Sequence, residues 1–189
     1  MYTKLRLFSL VAVLGLALTV SCRTSGPETP ARTVAEFFRK YENRSGFKAT
    51  TLSAGFTTRL LLARLGKLGG NNELAQTLTS VREIRMLTFT PTTDRAQSLV
   101  AAGLNKEVDG LLASERYTSI PVSTDSASTT ITRYAIRQQG DRVPELVATG
   151  NVEAVPESFA LIAVSGNFTR AQVDELIKFL PGAVGELTQ

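Results

Sequence analysis

Cys22 is the only cysteine of the 189-residue chain, and the chain contains no histidine. Histidine is the commonest general base of enzymes, and a thiolate is both a frequent nucleophile and a frequent zinc ligand. This composition disfavours a Ser-His-Asp triad and most zinc or copper sites. The chemistry that remains rests on carboxylates, serines and lysines, and on one thiol near the N-terminus.

Three pairs of neighbouring carboxylates are the candidates for acid–base catalysis: Glu107 with Asp109, Asp141 with Glu145, and Asp174 with Glu175. Hydrolases of glycosidic bonds use two carboxyl groups, one of them shielded from water so that its pKa rises. The second pair is predicted to lie in a turn and the third on the solvent face of a helix, where water is not excluded. We therefore interpret the pairs as surface charge and predict no catalytic residue, with a carboxylate-based hydrolase as the alternative.

Two other motifs resemble active-site motifs but lack their context. Ser45 and Lys48 have the S-x-x-K spacing of penicillin-binding proteins, in which the serine opens a helix. Here Gly46 follows the serine, and a predicted strand comes next. The glycines of residues 66–70 lack the G-x-x-x-x-G-K-[ST] spacing of a phosphate-binding loop. We interpret the first motif as a turn and the second as a connector, and we predict no cofactor and no metal site.

The thiol of Cys22 follows a segment that is typical of a secretory signal. Residues 7–20 (LFSLVAVLGLALTV) carry no charge and follow Lys4 and Arg6, as an apolar h-region follows a charged n-region. The 14 residues of this run are fewer than the roughly 20 that a membrane-spanning helix needs. The sequence therefore predicts a signal peptide over residues 1–21.

The residues before Cys22 resemble a bacterial lipobox, in which the cysteine is lipidated on sulfur and becomes the first residue of the mature chain. Ser21 is the small residue before the cysteine, whereas Thr19 stands where lipoboxes prefer Leu, Val or Ile. A free thiol after ordinary cleavage and an intermolecular disulfide are the alternatives. Lipidation at Cys22 would hold the protein at a membrane through two or more acyl chains, such as palmitate.

The residues after Cys22 bear on location and charge. Arg23 and the two residues that follow it lack the aspartate associated with inner-membrane retention and the acidic run associated with surface export. By that resemblance, we expect the periplasmic face of the outer membrane. Loss of Lys4 and Arg6 with the signal peptide lowers the formal charge from +4 to +2. Charge therefore gives no reason to expect a nucleic-acid partner.

The mature chain is predicted to contain one domain. Residues 22–32 are polar, include two prolines and predict a flexible tether behind the lipid. Residues 33–181 read as a single α+β domain, and residues 182–189 as a C-terminal tail. Thr33 and Glu36 form a capping box at the start of the first helix.

Hydrophobic spacing predicts the elements of this domain. The apolar face of the first helix consists of Val34, Phe37, Phe38 and Tyr41. Further helices are predicted at 56–65, 73–79 and 94–112, and strands at 47–53 and 84–90. Strands at 115–123, 128–138, 142–150 and 158–165 predict an antiparallel four-strand meander. A last helix begins after Thr169 and is expected to end at Pro181. We expect an antiparallel sheet of the meander plus one or two earlier strands, with the helices mainly on one face.

Ser126 lies in the predicted loop between two strands of the meander. Asp125-Ser126-Ala127 resembles the short Asp-Ser/Thr-small signal for O-glycosylation in some bacteria. The sequence thus predicts a glycan at Ser126, with a solvated turn as the alternative.

Three segments carry a family resemblance: FFRKYENRSGFKATTLSAG (37–55), IRMLTF (84–89) and FALIAVSGNFTRAQVDELIKFL (159–180). In this order and spacing the chain resembles a family of small bacterial lipoproteins, domain-of-unknown-function family 4252. The resemblance spans most of residues 33–181 and includes the lipid signal. It implies a lipoprotein topology and an envelope location, and it brings no catalytic residues.

Taken together, these features predict a non-enzymatic envelope protein that presents its domain to a protein partner. An exposed apolar patch on the sheet face away from the helices would support this role. The alternative is a module that binds a small apolar ligand or lipid in a cleft between the sheet and the helices.

Overall fold

The computed structural model describes residues 29–55, 72–91, 94–121, 131–152, 155 and 157–187. The helices within these ranges are α1 (Val34–Tyr41), α2 (Asn72–Thr79), α3 (Asp94–Ser114) and α4 (Arg170–Leu187). The strands are β1 (Phe47–Ser53), β2 (Val81–Phe89), β3 (Thr118–Ile120), β4 (Ile131–Gln139), β5 (Arg142–Gly150) and β6 (Phe159–Phe168). The helix predicted at 56–65 lies outside the described residues.

The six strands form one antiparallel sheet in the order β1-β2-β6-β5-β4-β3. The strands from β3 to β6 are neighbours in chain order, so the predicted four-strand meander is confirmed, and β1 and β2 are the two earlier strands. Gly140, at φ +58°, makes the tight turn between β4 and β5. The α+β class and the antiparallel sheet are therefore as predicted.

Helices cover both faces of the sheet, not mainly one. Leu161 and Ala163 of β6 pack in a core with α1 and α3, whereas Ile162 and Val164 pack in a second core with α2 and α4. A strand with apolar residues at consecutive positions is buried on both sides, because successive side chains point to opposite faces. The expectation of helices mainly on one face, which would leave the other face free for an apolar patch, is therefore wrong for the described part of the chain.

The first helix begins at its predicted N-cap, Thr33, with one of the two hydrogen bonds of a capping box. The hydroxyl oxygen of Thr33 accepts a hydrogen bond from the Glu36 backbone N–H at 3.1 Å. The carboxylate of Glu36 accepts the N–H of Arg32 at 2.9 Å, one residue before the N-cap. The predicted apolar face is buried at all four positions: Val34, Phe37, Phe38 and Tyr41.

The last helix does not end where the sequence predicts. Pro181 lies inside α4, which continues to Leu187. A proline inside a helix leaves the carbonyl four residues earlier, here that of Ile177, without its helical N–H partner. The hydroxyl of Tyr134 on β4 donates to this carbonyl at 3.3 Å. A donor from the sheet thus replaces the missing one, which is why the helix tolerates its proline.

Candidate functional site

A surface groove of about 500 Å³ lies between α1, α3 and the adjoining ends of β1 and β2. We call it the α1–α3 groove. Aromatic and aliphatic side chains dominate its wall, and three polar or charged side chains complete it. The lining residues are Tyr41, Arg44, Ser45, Phe47, Phe89, Val100, Gly103, Leu104 and Glu107.

The aromatic wall of the groove is a contiguous row of three rings. The ring of Tyr41 stacks on that of Phe47 with centroids 4.9 Å apart, and Phe47 lies 4.9 Å from Phe89. The guanidinium of Arg44 lies over the Tyr41 ring at 5.1 Å. Gly46 turns the chain from α1 into β1 with φ +85°, and a Cβ there would lie 3.1 Å from the Phe89 ring. Of the S-x-x-K residues, Ser45 thus lies in this turn and lines the groove, whereas Lys48 lies in β1.

The opposite wall of the groove is one face of α3. Val100, Leu104 and Glu107 recur at the spacing of successive helical turns. Leu104 is buried, whereas Val100 is 41% exposed and is the exposed large hydrophobic residue of the described chain. An apolar side chain therefore stands at the mouth of an aromatic-lined groove.

Glu107, the carboxylate among the lining residues of the groove, accepts three hydrogen bonds. Its Oε1 accepts the backbone N–H of Ala31 at 2.6 Å and the Nζ of Lys40 at 2.8 Å, and its Oε2 accepts the hydroxyl of Tyr41 at 2.8 Å. Burial alone would raise the pKa of Glu107, but the hydrogen bonds from Ala31, Lys40 and Tyr41 outweigh it and hold the pKa below its ordinary value. Glu107 is therefore an ionised, fully engaged structural group.

The C-terminal end of α3 and the residue that follows it, Glu115, also anchor the start of α1. Glu115, two turns beyond Glu107, accepts the backbone N–H of Val34 at 2.7 Å. The hydroxyl of Ser114 donates to the carbonyl of Arg32 at 2.9 Å. The first N–H groups of a helix have no partner inside it, so the Glu115 carboxylate caps α1 from a distance, and Ser114 holds the chain just before it. Only the local cap at Thr33 was visible in the sequence, because these contacts join residues about eighty positions apart.

Glu145 is buried, which corrects the interpretation of its pair as solvated. It is 7% exposed, lies in β5 opposite Arg137 in the ladder with β4, and points to the face that α1 and α3 cover. The hydroxyl of Tyr117 donates to it at 2.6 Å and Arg137 at 3.0 Å. Burial and this carboxylate raise the pKa of Tyr117 far above its ordinary value. The turn that holds Asp141 ends one residue before β5, so Glu145 lies within the strand.

None of the three predicted pairs forms a site with two carboxylates. Glu107 faces α1 while Asp109 lies on the exposed side of α3, and Asp141 remains exposed in its turn. The other carboxylates each face a cation of their own: Asp109 with Arg133, Asp174 with Arg170, and Glu175 with Lys178. The carboxylates of each pair thus make separate contacts, and a carboxylate-based hydrolase stays an untested alternative.

Cys22 and Ser126 lie outside the described residues, so lipidation and glycosylation stay predictions. Within the described ranges, no three acidic, cysteine or histidine side chains come together as metal ligands would. Nor does any helix there have the length and apolar character needed to cross a bilayer.

The family model described as "Domain of unknown function (DUF4252)" matches residues 41–176. The chain belongs to this family. The resemblance noted in the sequence is thereby confirmed for its domain. No curated protein and no solved structure matches the chain. The part of the chain matched by the family model includes every lining residue of the α1–α3 groove. The groove of this chain therefore lies within the residues that the family model matches.

Proposed function

We propose that the chain is a non-enzymatic lipoprotein of the bacterial envelope that binds a protein partner through the α1–α3 groove. Cys22 carries the lipid and the domain stands at the periplasmic face of the outer membrane. Two features of the sequence support the lipid anchor: basic residues precede an apolar run within residues 1–20, and a small residue stands before Cys22.

The observation that carries the binding role is Val100 at the mouth of the groove. It faces solvent although the contiguous rings of Tyr41, Phe47 and Phe89 lie in the same groove. Removing the rest of the Val100 side chain from water would contribute on the order of 1 kcal/mol. The wall also contains Tyr41 and the rim Arg44, and tyrosine and arginine are residue types enriched in interface hot spots.

The charged side chains at the rim of the groove are held in fixed positions. Arg44 and Glu107 are both lining residues, and each is held in place, Arg44 by its Nε bond to the Lys40 carbonyl at 2.8 Å and Glu107 by its three donors. A partner would meet side chains that are already ordered, so binding would cost little side-chain entropy. The partner we expect therefore presents an apolar side chain flanked by polar groups.

The test is a pair of substitutions on one helix. Val100→Asp would place an unpaired carboxylate against the aromatic wall, and Ala102→Asp adds the same charge at an exposed position of α3 that does not line the groove. Partners would be captured by chemical cross-linking in membranes of the producing bacterium, and their affinity then measured with purified domains. We expect Val100→Asp to weaken binding at least about tenfold and Ala102→Asp to leave it unchanged. Equal binding by both variants would contradict the proposal.

A small apolar ligand or lipid is the second candidate, and the size of the groove favours it. About 500 Å³ lies within the range of small-molecule pockets, roughly 300–1,000 Å³. Native mass spectrometry of protein from the producing bacterium distinguishes the two candidates. A retained mass that Val100→Asp abolishes would support a ligand, whereas an unliganded domain that still binds its partner would support the protein interface.

A further inference from the structure

The outer edge of the sheet at β1 has little of the protection that edge strands usually carry. The sheet ends at β3 on one side and at β1 on the other. β3 has three residues, whereas β1 has seven, with no proline and with Lys48 as its one charge. Short strands, prolines and charges normally keep such edges from pairing. Among the described strands, β1 is therefore the edge to which a further strand could pair.

The ladder with β2 determines which backbone groups of β1 point outward. The N–H of Thr90 donates to the carbonyl of Gly46, and Phe47 lies opposite Phe89. In an antiparallel pair this pattern alternates, so even-numbered residues of β1 bond to β2 and odd-numbered residues point away. Ala49 and Thr51 lie in mid-strand and are exposed, and none of the described strands pairs with them on that side.

We propose that β1 pairs with β1 of a second copy of this chain, antiparallel, around a two-fold axis at Thr50. Two six-stranded sheets then continue into one another. The outward groups of Ala49 and Thr51 in each copy exchange hydrogen bonds with those of Thr51 and Ala49 in the other. This inference concerns a surface other than the α1–α3 groove and stands independently of the proposed function.

The sequence of β1 is complementary to itself in this register. Thr50 lies opposite Thr50 in a non-hydrogen-bonded pair, where side chains approach most closely, and Thr–Thr pairs are favourable there. Lys48 lies opposite Leu52 of the second copy, so its aliphatic stem covers Leu52 and its charge stays in water. The register that would bring Lys48 opposite Lys48 shortens the overlap to residues 47–49. The sequence thus favours the longest pairing and disfavours the one with like charges.

A second copy is the occupant that these observations favour. A two-fold interface uses the same surface of both copies, so this surface must be complementary to itself. The register through Thr50 meets this requirement, because it pairs the outward backbone groups, pairs Thr50 with Thr50 and keeps the two Lys48 charges apart. The seven residues of β1 also set the length of a partner strand, and β1 itself has that length.

The first test is the oligomeric state of the mature chain, residues 22–189, carrying Cys22→Ser. Light scattering during gel filtration should show a dimer that dissociates on dilution. Thr51→Pro removes an N–H that points away from β2, so the fold should persist while the dimer is lost. Thr51→Val keeps that N–H and should remain dimeric. A wild-type chain that is monomeric at every concentration, or a dimeric Thr51→Pro, would overturn the proposal.

The second test uses single cysteines in the Cys22→Ser background. Cα atoms in a non-hydrogen-bonded pair lie about 4.5 Å apart, which a disulfide can bridge, so Thr50→Cys should form a covalent dimer with a mild oxidant. Cysteines at position 48 would be four residues out of register, roughly 13 Å apart, and Lys48→Cys should stay reduced. Equal cross-linking of the two variants, or an extended segment of another protein found at β1, would contradict the proposed pairing.

Discussion

The hydroxyl of Tyr134 donates to the carbonyl of Ile177 at 3.3 Å, across the interface between β4 and α4. This carbonyl is the one that Pro181 leaves without a helical donor. The contact couples the sheet to the last helix at the only place where the hydrogen bonding of that helix is interrupted by a proline. A side chain on one element therefore compensates a backbone defect on another.

Removal of this hydroxyl should cost stability only while the proline is present. We expect Tyr134→Phe to lower the free energy of unfolding by about 1–2 kcal/mol, because a buried carbonyl loses its donor. In a Pro181→Ala background the residue at 181 has its own N–H, and the same substitution should cost much less. Urea unfolding of the double-mutant cycle measures the difference. Equal costs in both backgrounds would contradict the compensation.

Alkaline pH should destabilise the domain through its buried tyrosines. Burial raises the pKa of Tyr134 from 10.0 to about 12, and burial also raises the pKa of Tyr41 and Tyr117. The unfolded chain then releases these protons at a lower pH than the folded chain. The contribution of these tyrosines to the free energy of unfolding is therefore fully present below pH 10 and is lost as the pH rises from 10 toward 12. Unfolding measured across this range should show the loss, and Tyr134→Phe should reduce it. A profile that is flat above pH 10 would contradict the burial of these hydroxyls.

Substitutions of Glu107 and of Asp109 should differ in their cost to the free energy of unfolding, although the two residues lie only two positions apart on α3. Glu107→Gln removes the ion pair between Glu107 and Lys40 and weakens the bond to Ala31, so we expect a loss of about 2 kcal/mol. Asp109→Asn removes an exposed pair with Arg133 and should cost at most about 1 kcal/mol. Chemical denaturation of both variants measures the contrast.

The contribution of Glu107 should also depend on pH. Its pKa is lower in the folded chain than its ordinary value of 4.5. The stabilisation is therefore complete above about pH 4.5 and is lost as the pH falls below it, toward the pKa of the folded state. In Glu107→Gln the unfolding free energy should fall less steeply over this acidic range. The same slope in wild type and variant would show that the carboxylate is not engaged as described.

Two glycines should respond in opposite directions to replacement by alanine. A Cβ on Gly166 would meet the Phe168 ring and lie 2.5 Å from the carbonyl oxygen of Ser80, so Gly166→Ala should destabilise by about 3 kcal/mol. Gly110 has no atom within 4 Å of such a Cβ, and it lies in α3. Gly110→Ala should therefore stabilise by about 0.5–1 kcal/mol. Thermal unfolding of both variants checks the signs.

Local patterns predicted the elements that depend on nearby residues. The cap at Thr33 and the buried face of α1 follow from spacing within one helix, and the meander follows from short polar turns such as that at Gly140. The consecutive apolar residues of β6 also contained the signal for two helical layers, because a strand that is buried on both faces reads as a continuous apolar run.

The features that the sequence did not predict depend on contacts between residues far apart in the chain. Pro181 is tolerated because Tyr134 reaches Ile177, 43 positions away, and Glu145 is buried because Arg137 and Tyr117 come to it from other elements. The groove is formed likewise by Val100 on α3 and Phe47 on β1. None of these contacts leaves a periodic trace in the sequence, because each depends on how the elements pack.

The measurement that tests the central claim most directly compares the wild-type protein and Cys22→Ser in the producing bacterium. Envelopes would be fractionated and cross-linked, and the partners held by each form identified by mass spectrometry. A lipid-anchored binding protein predicts that the wild type stays with the outer membrane and captures a partner there, whereas Cys22→Ser is released and captures it poorly. Equal release and equal capture by the two forms would contradict the anchor and would favour a freely diffusing periplasmic binder.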